Sequence, residues 1–281
     1  MSALYVVATP IGNLDDLSPR AIRTLKEADL IIAEDTRRTG SLLKQLSIKR
    51  PLASLHDHNE KQQTFGIVNR IKSGSNIALV SDAGTPLISD PGYNLVERCH
   101  AESIPVIPIA GPSAVTTALS AAGIATDRFS FEGFVPAKNK ARLDFYQRLA
   151  NESRTLVFFE VPHRIELSLR VLEKVVGGAR RLAICRELTK AFEQVVQGNI
   201  ADLRQALNSG EIPSKGEFVI VLARAKKTFD SDIDRLLVAL LPDLSPSKAA
   251  TVAARLTRAS KSTLYRRALP VSYTHLRAHE T

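Results

Sequence analysis

Between Asn76 and Cys99 the chain reads NIALVSDAGTPLISDPGYNLVERC. A short apolar run is followed by a stretch rich in glycine and proline, and then by Leu95, Val96 and Cys99 at helical spacing. Such an order predicts a strand, a loop and a helix. Ligands of α/β proteins collect at the carboxyl ends of strands, so this loop is a candidate site. It lacks both Gly-x-Gly-x-x-Gly and a Gly-Lys-Ser/Thr ending, which argues against a phosphate loop. With Asp82 and Asp90 beside Thr85 and Ser89, it suits a neutral or cationic ligand. Taken alone it is equally an ordinary turn with Asx caps.

The pattern recurs, and recurrence favours a site. Residues 4–8 predict a strand running into Thr9-Pro10-Ile11-Gly12-Asn13. Residues 104–109 predict another, running into Ala110-Gly111-Pro112-Ser113-Ala114 and a small-residue helix over 115–122. Ser18 is placed to cap a helix whose first residue is Pro19. Strands alternating with helices through residue 122 predict a parallel sheet covered by helices, with the three loops gathered at one edge. A strand over 30–33 ends in Glu34-Asp35-Thr36-Arg37-Arg38, either a salt-bridged turn or part of a site. His56-Asp57-His58-Asn59-Glu60 reads as a polar site wall. Two histidines spaced i,i+2 without nearby cysteines are a poor metal cluster, and no metal is expected.

From Gly123 the character changes. Phe129, Phe131 and Phe134 alternate with polar residues ahead of Pro136, which places a boundary between a first domain over 1–122 and a second over 123–228. Lys138, Lys140 and Arg142 open a helix and are either a solvated face or a contact for RNA phosphates. Strands over 155–159 and 181–185 lead into Glu160-Val161-Pro162-His163-Arg164 and Arg186-Glu187-Leu188-Thr189-Lys190. A hairpin-like return over 195–198 and a strand over 218–223 give this half a mixed sheet. Residues 229–268 hold two short helices joined at Thr257-Arg258-Ala259-Ser260. These make a helix-turn-helix with Lys248, Arg255, Arg258, Lys261, Arg266 and Arg267 available to phosphates, or a helical hairpin packed on its own chain or a partner. Residues 269–281 follow a helix expected to stop at Ala268. They resemble translated vector sequence and read as a non-native tail.

With 281 residues, 44% of them hydrophobic, the chain has material for more than one core. Its formal net charge of +9 fits a polyanion, a membrane surface or simply a basic soluble protein. The longest apolar runs are strand-sized, so no membrane span is expected, and the N-terminus lacks a signal pattern, which points to the cytoplasm. Cys99 and Cys185 lie far apart in apolar segments and read as buried free thiols.

Taken together, VATPIGNL, AEDTR, SDAGTPLISDPG, GPSA, FEGF, EVPHR, RELTK and KGE, in this order from Val7 to Glu217, resemble the tetrapyrrole (corrin/porphyrin) methylase superfamily. The resemblance is to its branch of bacterial 16S rRNA cytidine 2'-O-ribose methyltransferases. It implies two α/β domains with S-adenosylmethionine between them, a small helical domain of helix-turn-helix type, and a homodimer acting on 16S rRNA in the 30S subunit. Carried over residue by residue, Pro10 and Gly12 would border the cofactor. Asp82, Gly84, Thr85 and Ile88 would line its methionine side, with Ser113 and Ala114 beneath. Phe159, Pro162, Leu188 and Pro213 would flank its adenine side. Arg37, Arg38, Lys138, Lys140, Arg142, Lys248 and Lys261 are the candidate RNA contacts. Two departures stand out: Ala110 replaces a usual proline, and Arg258 replaces a usual glycine, which would strain the turn if φ must be positive there.

Transfer to a ribose hydroxyl is an in-line displacement, dominated by alignment in a dry cleft and by a group that takes the hydroxyl proton. Asp35, His56, Lys190 and Glu193, with Glu60 and Asp82, are the candidates for that group. Lys190 qualifies if burial lowers its pKa, and the Arg186-Glu187-Lys190 set is equally a structural ion network. Two alternatives differ in class: a methyltransferase of the same fold acting on a tetrapyrrole or other small molecule, and a non-catalytic RNA-binding protein with an inactive cleft.

Overall fold

The computed structural model describes residues 2–56, 59–225, 229–257 and 259–277, with the side chains of 229–232, 235 and 270–277 outside the description. Two compact units result, residues 1–224 and 225–281.

The first unit holds two five-stranded sheets. Sheet one is built from β1 (Leu4–Val7), β2 (Leu30–Ala33), β3 (Leu52–Ser54), β4 (Ile77–Val80) and β5 (Val106–Ile109) in the order β3-β2-β4-β1-β5. Every pairing in it is parallel, as the strand and helix alternation predicts. β2 and β4 are buried along their whole length, as continuous apolar strands of a two-sided sheet must be. One face packs on α1 (Pro19–Glu27) and α2 (Thr36–Gln45) through Val7, Leu25, Ile31, Leu43 and Val80. The other packs on α3 (Glu60–Lys72) and α4 (Tyr93–Ala101) through Ile32, Ile67, Ile71, Leu79 and Leu95. Ser18 caps α1, its hydroxyl accepting from the Ala21 amide at 3.1 Å, with Pro19 in the first turn.

Sheet two is mixed: β6 (Phe129–Phe134) runs parallel to β7 (Thr155–Glu160), while β10 (Phe218–Leu222), β8 (Arg181–Arg186) and β9 (Gln194–Asn199) continue it antiparallel. One face is covered by α6 (Asn139–Leu149), α7 (Ile165–Val176) and α8 (Ile200–Ser209), around Phe145, Phe158, Leu169, Leu203 and Ile220. The other face is covered by α5 (Ala114–Ala121), which leaves β5 of sheet one and packs Val115, Ala118 and Leu119 against Val157, Cys185 and Val219. Because α5 lies on sheet two while its first residue follows a loop of sheet one, its N-terminus falls where the two sheets meet.

The second unit contains α9 (Phe229–Leu240), α10 (Pro246–Leu256) and α11 (Lys261–Arg277), joined around Ile233, Leu237, Ala249, Ala253, Leu264 and Ala268. Small residues on α10 let the helices approach closely. Ser260 caps α11, its hydroxyl accepting from the Thr263 amide at 3.3 Å, and Arg267 donates to Asp234 through two nitrogens. The expected stop at Ala268 is corrected: α11 continues through Pro270 to Arg277. An interior proline removes one backbone hydrogen bond and crowds the carbonyl four residues back, a local cost that does not by itself end the helix. Arg258, the expected departure in the turn, and residues 278–281 lie outside the described residues.

Candidate active site

The three Gly/Pro loops meet at the carboxyl edge of sheet one. Thr9 and Gly84 exchange backbone hydrogen bonds of 2.8 and 3.0 Å, an isolated antiparallel bridge between the first two loops. The Thr9 hydroxyl donates to the Ser81 carbonyl at 3.2 Å, and the Thr85 hydroxyl donates to the Pro112 carbonyl at 3.0 Å, tying in the third loop.

Beside them opens a cavity of about 410 Å³. Asp82, Gly84, Thr85, Ile88, Ser113 and Ala114 line it from the side of sheet one, and Phe159 and Pro162 from sheet two. These eight are among the residues that the family resemblance assigns to the cofactor, and they line one cavity. Ser113 is the N-cap of α5 and its side chain makes no cap hydrogen bond, so the first turn presents backbone amides and the positive end of the helix dipole to the cavity. Glu34, Asp90 and Glu217 also contribute to the lining, and Arg38 is its only lysine or arginine among the described residues. The cavity therefore carries an acidic wall inside a chain of net charge +9.

Asp82 is held on two sides: it accepts from the Asp35 amide at 3.0 Å and pairs with Arg38 at 3.1 Å. Asp35 is a cap, its carboxylate accepting the Arg37 amide at 2.9 Å and the guanidinium at 2.7 and 3.1 Å. These bonds from Arg37 hold its carboxyl far below the usual carboxylate range, which makes it a weak proton acceptor.

The remaining predicted residues lie elsewhere. Gly12 faces the Arg186–Lys190 segment: a Cβ there would stand 2.9 Å from Thr189 Oγ1 and closer still to Lys190 Cγ, so only glycine permits this approach. Pro10 sits in the same loop. Leu188 is buried in the apolar cluster under α5, and Pro213 is exposed; neither lines the cavity. Lys190 donates to Glu187 at 2.9 Å and pairs with the cavity-lining Glu217 at 3.1 Å. Burial pulls its pKa down, but the two carboxylates more than offset this and the net shift is upward. The condition under which Lys190 would be a neutral base is not met. Glu193 is exposed and accepts from the Thr189 amide, closing the same turn. Glu60 is buried, and its Oε1 accepts the amides of Gly92 at 3.1 Å and Asn94 at 2.8 Å, capping α4 from a neighbouring helix. The amide of His56 donates to Asn59 Oδ1 at 2.8 Å, while Asp57 and His58 lie outside the described residues.

Of the candidate RNA contacts, Arg37, Arg38, Lys138, Lys140, Lys248 and Lys261 are exposed. Arg142 is not: it is 1% exposed and donates to Asn139 Oδ1 at 3.2 Å and to the Ala137 carbonyl at 2.9 Å. A guanidinium spent on the start of its own helix cannot meet phosphate, so that assignment is corrected. Glu34 and Asp90 line the cavity from loops already read as candidate sites, whereas Phe134 and Glu217 line it without having been singled out as site residues; Phe134 carried a signal, because its three-residue step from Phe131 breaks the alternation.

Two α/β layers that share one helix and place Gly/Pro loops at a common cavity define the tetrapyrrole methylase class. The family model described as Tetrapyrrole (Corrin/Porphyrin) Methylases matches residues 3–204, and one described as RsmI C-terminal HTH domain matches 227–270. The fold resembles a crystal structure of uroporphyrin-III-C-methyltransferase from Thermus thermophilus, with a TM-score of 0.56 and 18% identity, covering 80% of this chain and 95% of that one. Within this class the chain belongs to the ribosomal RNA small subunit methyltransferase I family. It is 47% identical over 266 residues to the protein of that name from Pasteurella multocida, covering 93% of this chain and 95% of the relative. It is 49% identical over 265 residues to that of Xylella fastidiosa, covering 93% and 97%.

Proposed function

We propose that the chain methylates the ribose 2'-oxygen of a cytidine in the decoding centre of 16S rRNA, using S-adenosylmethionine, as a cytoplasmic homodimer acting on the 30S subunit. The observation that carries this reading is the acidic cavity at the N-terminus of α5, in a chain nearly half identical to proteins named for small-subunit rRNA methylation. Among the described residues no helix is long and apolar enough to cross a membrane.

The cavity chemistry suits the cofactor. The free amides of the first turn of α5 are donors for a carboxylate, Asp82 is an acceptor for an ammonium, and Phe159 and Pro162 offer apolar faces to an adenine. Bound there, S-adenosylmethionine supplies a methyl group activated on a sulfonium. The chain's part is to hold the acceptor oxygen in line, to exclude water and to take the hydroxyl proton. Asp82 is the one proposed proton acceptor that lines the cavity, and its pairing with Arg38 would have to loosen for that role. The exposed lysines Lys138, Lys140, Lys248 and Lys261 supply phosphate contacts.

The test is transfer of labelled methyl from S-adenosylmethionine to purified 30S subunits lacking the modification, with the labelled nucleotide mapped. Label on one cytidine 2'-oxygen supports the reading. Label on an added tetrapyrrole with none on RNA would favour the small-molecule alternative, and cofactor binding without turnover would favour an inactive cleft.

A further inference from the structure

The Phe131–Phe134 segment of β6 is built to aim one aromatic ring. Phe131 pairs with Val157 and Phe134 with Phe159, so three steps on β6 span two on β7, a bulge. Gly133 takes φ +71° within it, a conformation glycine adopts without strain, and a Cβ there would stand 3.7 Å from Ser89 Oγ on the facing loop. The bulge puts Phe134 on the same side of the strand as Phe131. Both rings touch Phe159, with centroids 4.8 Å away for Phe131 and 5.3 Å, edge to face, for Phe134. Phe134 lines the cavity yet remains 52% exposed, and the half-exposed Ile88 lines it from the opposite loop. With 52% of its surface exposed beside the cavity, the Phe134 ring is accessible to a planar partner.

We propose that Phe134 is the surface on which the base of the target RNA nucleotide stacks while its ribose enters the cavity. The inference rests on the rRNA reading above and adds a substrate-positioning residue to it. The mouth of the cavity is the part open to a polymer, whereas Phe159 lies deeper and is left to the cofactor. Stacking accepts any base, so Phe134 would fix position, and sequence choice would lie elsewhere.

The test compares Phe134→Ala, Phe134→Leu and Phe134→Trp with the unaltered protein, measuring methyl transfer to 30S subunits, calorimetric affinity for S-adenosylmethionine, and assembly mass. Phe134→Ala should raise the KM for RNA about 5- to 150-fold, with cofactor affinity within about twofold. Phe134→Trp should restore KM and Phe134→Leu should not. An unchanged KM overturns the proposal, as does a parallel loss of cofactor affinity, which would assign the ring to adenine. A loss accompanied by a change in assembly mass overturns it too, because the ring would then serve a subunit contact. If the unaltered protein methylates no RNA, it is the rRNA reading that fails.

Discussion

Glu60 should matter more to the site than its distance from the cavity lining implies. Its carboxylate is buried at 5% exposure and reaches from α3 to the start of α4, which has Gly92 as N-cap and no side-chain cap of its own. The amides of Gly92 and Asn94 donate to Oε1 at 3.1 and 2.8 Å, and that of Leu95 at a weaker 3.4 Å. Glu60→Ala leaves two well-formed donors without their acceptor. At roughly 1–3 kcal/mol for each orphaned group, reduced by water reaching the half-buried Asn94, the loss should be about 2–4 kcal/mol. Glu60→Gln keeps one acceptor oxygen and gives up the charge opposite the helix dipole, so about 1–2 kcal/mol should go. Urea denaturation of the full chain measures the global loss, and amide hydrogen exchange at Asn94 and Leu95 localises it. Since Ser89 and Asp90 lie in the loop that ends at this cap, cofactor affinity should fall with it. A Glu60→Ala protein within about 0.5 kcal/mol of the unaltered one, with unchanged exchange at those amides, would refute the reasoning.

Arg142→Ala should cost about 2–4 kcal/mol in stability, because two hydrogen bonds of a buried charge are lost, and should leave the salt dependence of RNA binding unchanged. If Lys138 touches phosphate, Lys138→Ala should do the reverse, lowering the slope of log affinity against log salt by roughly 0.7–0.9 without lowering the melting temperature. Lys190 has its pKa raised in the folded chain, so its ion pairs are intact below the ordinary lysine value of 10.5 and are lost only as pH rises past the folded value. The pH–rate profile should therefore show no lysine inflection near neutrality. Lys190→Arg should keep most of the activity, whereas a drop of about 100-fold would mark the amine as the base after all. Burial pushes the thiols of Cys99 and Cys185 up to about 11 and about 12. Both should resist alkylation at pH 8, and the stability tied to their neutral forms should fade as pH rises from about 9 through those values. Rapid labelling of the folded protein at pH 8 would contradict this.

Much of the fold was legible because its signals are local. Apolar runs such as Ile77–Val80, a serine followed by proline at Ser18 and Pro19, and Gly/Pro punctuation at strand ends each dictate backbone conformation within a few residues. The packing of α5 on sheet two was not, because its small apolar residues suit either sheet and only the tertiary arrangement chooses. The end of α11 was misread for a related reason, since a proline restricts a helix without dictating where it stops.

The site divides along the same line. Residues carried on the Gly/Pro loops themselves were readable, and Asp82, Gly84, Thr85, Ser113 and Ala114 all reach the cavity. Residues whose role is set by a distant partner were not. Asp35, Glu193 and Lys190 have the chemistry of proton acceptors, yet Arg37, Thr189 and the Glu187 and Glu217 pair occupy them. Occupied is not idle, however. Leu87 and Ser89 in the loop after β4, and Glu187 and Thr189 on the segment facing Gly12, take φ between +49° and +73° without being glycine. Such conformations cost of order 1–3 kcal/mol each and persist where the surroundings enforce them, commonly beside ligand sites. The ion pairs of Lys190 and the bond from the Thr189 amide to Glu193 therefore serve to hold a strained segment against the first Gly/Pro loop, and through Glu217 that segment reaches the cavity. Replacing Glu193 with alanine should accordingly weaken cofactor affinity without shifting the pH–rate profile, whereas loss of a limb from that profile would return Glu193 to the role of base.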